Sequence, residues 1–140
     1  MNFTVQDTGI QMQAEVKAIN ADLLITLTGG DTPHIGTITC FDQATGDLTT
    51  TQFASHDGRK HKDQVLAEEI LKIIQPELPG NCVITSGIHV DGITKAQIQA
   101  TFLMAKALGE QIKSWLLDHP LDVKQPEYYG STLLSTDREI

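Results

Sequence analysis

The chain has 140 residues, 40% hydrophobic and 20% charged, with 10 basic against 18 acidic side chains. That length suits one domain with a core large enough to fold without staples, and the composition excludes a disordered chain. A formal charge of −8 works against nonspecific nucleic-acid or anionic-membrane binding, and no apolar run approaches the ~18 residues a membrane helix needs.

The segment Met1 to Asp7 lacks a basic region followed by an apolar stretch, so no leader is expected and the protein reads as cytoplasmic. Ile10, Met12, Ala14, Val16 and Ala18 alternate with Gln11, Gln13, Glu15 and Lys17, the period-two mark of a half-buried strand. Asn20-Ala21-Asp22 is a turn, and Leu23 to Thr28 follows as a more buried strand. Gly29-Gly30-Asp31-Thr32-Pro33 breaks it. His34 to Phe41 and Leu48 to Ala54, rich in Ile and Thr, are two further strands joined by a turn at Ala44 to Asp47.

The period then changes. Val65, Leu66, Ile70, Ile73 and Ile74 recur at helical spacing within Asp63 to Gln75, and Pro76 and Pro79-Gly80 end the helix. Cys82 to Thr85 is a short strand. Thr94 to Leu117 is the longest helix, opened by a capping box of Thr94 and Gln97. Ile98, Phe102, Ala105, Leu108, Ile112, Trp115 and Leu116 form its single apolar stripe, and His119-Pro120 stops it. The expected fold is α+β: an antiparallel meander with two main helices packed on one face. One domain over residues 1–124 and a polar tail over 125–140 are expected. Cys40 and Cys82 each sit in an apolar run outside any CxxC pair and read as buried free thiols.

Chemistry concentrates in two places. The loop G-G-D-T-P-H-I-G, Gly29 to Gly36, can expose backbone amides around an anion, although it is not a Walker sequence and a hairpin connection is the plain reading. The stretch S-H-D-G-R-K-H-K-D, Ser55 to Asp63, crowds His56, Arg59, Lys60, His61 and Lys62 between a strand and a helix start. Arg59 can grip a phosphate with its planar fork, and Lys62 adds a point charge near the positive end of the next helix. A charge run is usually a solvated loop. Here, however, His34, His56, His61 and His89 all adjoin glycine-bearing turns at strand ends, whereas His119 sits at an ordinary helix end.

A metal on these histidines with Asp31, Asp57 or Asp91 is possible by residue type but unsupported by spacing. Ser55 beside His56 and Ser86 near His89 suggest a nucleophile and base, yet no nucleophile elbow is present. No catalytic residue is assigned. Trp115 reads as core from its place on the stripe.

Together, T-G-G-D-T-P-H-I-G at Thr28 to Gly36, the Ser55 to Asp63 segment, G-I-H-V-D-G-I-T-K-A-Q-I at Gly87 to Ile98, and P-E-Y-Y-G at Pro126 to Gly130 resemble one family. It is the small D subunit of bacterial gallate decarboxylase and the wider group of prenylated-flavin chaperone-like domains. The resemblance runs in order from about Gln11 to Gly130. It implies a fold similar to proteasome-assembly-chaperone domains, and an accessory protein of aromatic-acid metabolism such as tannin degradation.

It further implies a carrier of prenylated FMN, or of FMN, serving the UbiD-type large subunit of an aromatic-acid decarboxylase. A separate flavin prenyltransferase would supply the cofactor. A homodimer or higher homo-oligomer is expected. Gly29, Gly30, His34, His56, Arg59, His61, Lys62 and His89 are the expected cofactor contacts. Arg59 and Lys62 would hold the phosphate with the Gly29-Gly30 amides, and His34, His61 or His89 the polar edge of the flavin. Ile35, Ile88 and Tyr128 or Tyr129 would wall its ring. Two other classes stay open: a small metal- or phosphate-dependent enzyme using His34, His61 and His89, and a purely structural decarboxylase subunit.

Overall fold

A computed structural model describes residues 1–55 and 63–128. Its sheet begins with two hairpins whose turns the local sequence supports. β1 (Asn2–Asp7) and β2 (Ile10–Ile19) pair antiparallel around Thr8 and Gly9, at φ 50° and 80°. Two successive residues at positive φ give the turn whose twist matches the strands on either side. β1 is absent from the sequence expectation because its six residues turn only Phe3 and Val5 towards the core, too short a pattern to read alone. β3 (Asp22–Gly30) returns from β2 through Asn20, also in the left-handed region at φ 56°, a conformation asparagine tolerates.

β4 (Thr37–Phe41) and β5 (Leu48–Gln52) form a separate hairpin. The chain then runs through α1 (Gln64–Ile74) and a short 3-10 turn (Gln75–Glu77) into β6 (Cys82–His89), and ends in α2 (Lys95–Asp118). The strand order is β1-β2-β3-β6-β4-β5. The α+β class with two helices is what the structure has. The meander is interrupted at one point, where β6 enters between β3 and β4, parallel to β3 and antiparallel to β4. No local pattern encodes that insertion, since it depends on where the crossover returns.

Both helices cover one face. Met12, Ile25, Leu27 and Ile84 from the sheet meet Ile70, Ile74, Leu108 and Ile112 from the helices, all 0% exposed. Burial of each such side chain contributes about 1.5–3 kcal/mol. The Thr94 capping box is formed in both directions, with Gln97 N to Thr94 Oγ1 at 3.1 Å and Thr94 N to Gln97 Oε1 at 3.0 Å.

Two expectations are corrected here. The α2 stripe is buried from Ala105 onward, but Ile98 and Phe102 face outward, because Ala100, Thr101 and Met104 occupy the inward arc of that first half. Cys82 is buried, and burial pushes its thiol up to about 12. Cys40 is exposed, since one position along β4 turns its side chain to the uncovered face while Thr39 and Phe41 point inward. Trp115 packs against the core as expected, edge-on to Phe3 at 6.3 Å and stacked on His119 at 5.9 Å.

No helix among the described residues is long and apolar enough to cross a membrane. Beyond α2 the chain is clasped at Lys124, whose N–H donates to Asn20 Oδ1 at 2.7 Å while Asn20 Nδ2 donates to the Lys124 carbonyl at 2.8 Å.

Candidate functional site

β3 and β6 run side by side to one end of the sheet, where Gly29 pairs with Ile88 and Gly30 with His89. The loop from Asp31 to Gly36 crosses this end before β4 begins, and Gly36 N donates to the Ser86 carbonyl at 2.8 Å. α1 starts at the same end, where Ser86 Oγ donates to the Asp63 carbonyl at 3.3 Å. α2 starts there too, and Gln97 Nε2 donates to the Thr8 carbonyl in the β1–β2 turn at 3.1 Å. The positive ends of two helix dipoles therefore lie at the end of the sheet that carries the histidines, a field that favours an anionic group.

The loop passes so close to β6 that only glycine fits. A Cβ on Gly87 would collide with the backbone carbonyl of His34, and one on Gly30 with that of His89. A glycine inside a strand signals such an approach, and it holds the His34 backbone against β6. His34 Nδ1 lies 2.8 Å from the Thr32 carbonyl and must donate to it, which turns Nε2 towards Asp63 Oδ2 at 3.8 Å. His89, more than half exposed, pairs through Nε2 with Asp91 Oδ1 at 2.9 Å. Asp91 is held in turn, its N–H donating to Asp31 Oδ2 at 2.8 Å, and Asp31 N donates to the His89 carbonyl at 2.6 Å. Asp31 and Asp91 thus brace the two loops to each other.

The expected site residues divide accordingly. Gly29, Gly30, His34 and His89 come together at this end. His56, Arg59, His61 and Lys62 lie outside the described residues, as does Tyr129. The described residues flanking that segment are fixed at the same place: Phe53 N donates to the Gly36 carbonyl at 2.9 Å, and Asp63 stands beside His34. Ile35 is 58% exposed and available to an apolar ligand face, whereas Ile88 packs against the core. Tyr128 is exposed.

The sequence reading considered Asp31 and Asp91 as metal ligands and Ser86 as a nucleophile, and missed the ties they make: Asp31 with Asp91 across the parallel β3–β6 pairing, and Ser86 with Asp63 at the start of α1. Gly87 alone carried a local signal. Ser86 and His89 cannot act together as nucleophile and base, because Ser86 points into the core and His89, three positions on, to the other face. Among the described residues no group of three His, Cys, Asp or Glu side chains is gathered to hold a metal. A cleft of about 460 Å³ between Lys17 and Trp115 lies at the opposite end of the sheet and contains none of the expected contacts.

A family model described as the prenylated flavin chaperone LpdD-like domain matches residues 6–117. Protein LpdD of Lactiplantibacillus plantarum is 51% identical over 128 residues, covering 91% of this chain and 93% of that protein.

Proposed function

This chain belongs to the prenylated flavin chaperone LpdD-like family, and on that premise we propose that it carries prenylated FMN to a UbiD-type decarboxylase of aromatic, gallate-like acids. The supporting observation is the convergence of Gly29-Gly30, His34 and His89 with two helix N-termini at one end of the sheet. Prenylated FMN offers a phosphate, a ribityl chain and a flat ring. Arg59 and Lys62, with His56 and the Gly29-Gly30 amides, hold the phosphate. His34, His61 and His89 meet the polar edge of the flavin, and Ile35 lies along its ring. The cofactor comes from a flavin prenyltransferase and passes to the large subunit, which performs the decarboxylation. The role assigned to this chain is holding and handing over, with no catalytic residue of its own.

The test is co-expression with the prenyltransferase, followed by absorbance spectra of the purified protein. Flavin bound near one equivalent is expected, and the double variant Arg59→Ala/His61→Ala should lower its affinity at least about tenfold, the loss of roughly 1.4 kcal/mol. Unchanged binding in the double variant overturns the assignment. A colourless protein that still binds the decarboxylase would make the chain a structural subunit. Bound metal without flavin would point to an enzyme.

A further inference from the structure

Most of the core beneath the two helices is aliphatic. Its buried polar side chains among the described residues are Thr37, Thr39, Ser86 and Thr101, and the first three lie together on β4 and β6. Thr37 and Ser86 stand opposite one another in the β4–β6 pairing, both turned to the helices, so their Cβ atoms are about 5 Å apart. Thr39 follows two positions along the same face of β4. Ser86 Oγ donates to the Asp63 carbonyl at 3.3 Å, which sets this floor of hydroxyls under the start of α1.

The floor is not closed on itself. Thr37 is 0% exposed, yet its Oγ1 has no hydrogen-bond partner among the described residues. The same holds for the buried Oε1 of Gln64, the first residue of α1. Thr39 Oγ1, by contrast, reaches Thr50 Oγ1 at 3.4 Å. A buried hydroxyl left unbonded costs its desolvation in full, a cost that valine, of nearly the same shape, would not incur. Two unbonded polar atoms at the start of one helix therefore point to a ligand that reaches both.

The atoms define its chemistry. Gln64 Oε1 only accepts, so the ligand must donate, whereas Thr37 Oγ1 can do either. A phosphate fits badly, because its dianion has no proton to give and would meet the Asp63 carboxylate. A run of hydroxyls satisfies both atoms. The flavin nucleotide has such a run in its ribityl chain, between ring and phosphate. The floor has the matching position, since Asp63 above it faces His34 at 3.8 Å and follows Lys62 in the chain. The histidines and the cationic side chains account for the ring edge and the phosphate and leave the ribityl chain unheld.

We propose that Thr37, Ser86 and Gln64 hold the ribityl hydroxyls, Ser86 by exchanging its long bond to Asp63 for one to the ligand. This assignment rests on the cofactor reading and deepens it. The way in is the first turn of α1. Asp63 occupies its N-cap position, but no side-chain cap bond forms there, so the turn lacks a tie that ordinarily pins a helix start and can lift to admit the chain.

The test titrates prenylated flavin from the prenyltransferase anaerobically against the full chain, once as the phosphate ester and once after a phosphatase has removed the phosphate. Thr37→Val should weaken both forms about fivefold, the loss of one neutral hydrogen bond, while the ligand-free variant melts at or above wild type. Thr37→Ser keeps the hydroxyl and should bind within about twofold of wild type. Equal affinity of Thr37→Val and wild type would overturn the assignment and leave the cofactor reading standing. A loss confined to the phosphate ester would overturn it too, since the hydroxyl would then serve the phosphate. So would a lower melting point of ligand-free Thr37→Val, which would show the hydroxyl already bonded within the fold. A wild type that binds neither form removes the cofactor reading, and this assignment with it.

Discussion

At the amino ends of β3 and β6, Leu23 and Cys82 stand side by side, 2% and 1% exposed. There polar side chains serve as ties between segments: Asp22 Oδ1 accepts from Asn81 N at 2.8 Å, and Asn81 Oδ1 accepts from Gln43 N at 3.0 Å. At the carboxyl ends of the same two strands the pairing is equally regular, but glycines replace side chains and two histidines with carboxylate neighbours stand at the surface. The difference teaches how one pair of strands divides its tasks. Apolar burial at one end supplies stability, and the absence of a side chain at Gly87 on the other lets the His34 loop lie against β6.

The sharpest break of that comparison is a cavity at the amino end. Leu23→Ala should lower unfolding free energy by about 2–5 kcal/mol, measured by denaturant titration, while flavin affinity of the folded protein stays within about twofold of wild type. Loss of affinity in that variant would show that the two ends are not independent.

Gly87→Ala tests the other end. The added methyl must displace the His34 carbonyl, a backbone atom that cannot rotate away. A stability loss of roughly 1–3 kcal/mol is expected, accompanied by a loss of flavin binding much larger than that of Leu23→Ala. Full binding in Gly87→Ala would remove the His34 loop from the site.

The smallest effect concerns pH. Burial raises the Cys82 thiol from 9.0 to about 12, so the fold favours the protonated form. Its contribution is present below pH 9 and is lost as pH rises towards 12, by at most about 1.4 kcal/mol per unit. Alkaline melts should show this slope in wild type and a flatter one in Cys82→Ala. A thiol reagent at neutral pH should modify exposed Cys40 at once and Cys82 only on unfolding; equal rates would contradict the burial difference.

Part of the candidate site was legible in the order of residues alone. The glycine-bearing turns, the histidines beside them and the motif order pointed to one family and to the ends of strands; that His34, His89, Gly29 and Gly30 share one end of the sheet came from the β3–β6 pairing. The Asp31–Asp91 brace was not legible, because the Asp31 carboxylate and the Asp91 N–H are 60 residues apart in sequence and meet only through β3–β6 pairing. Ile98 and Phe102 misled for a related reason: helical spacing groups residues into a face but does not say which arc of the helix meets the sheet.

Local pattern alone determined the α+β class, the alternation of β2, the extent of both helices, the Thr94 cap and the turn at Asn20. Each depends on periods of 2 or 3.6 residues, or on the conformational range of single residues, and so is written in short stretches of chain. Tertiary structure decided that β6 enters between β3 and β4, that Gly87 receives the His34 loop, that Cys40 faces outward while Cys82 is buried, and that β5 stands at the margin of the sheet. Those outcomes depend on which distant segments exclude water together, a competition that no local stretch of sequence contains.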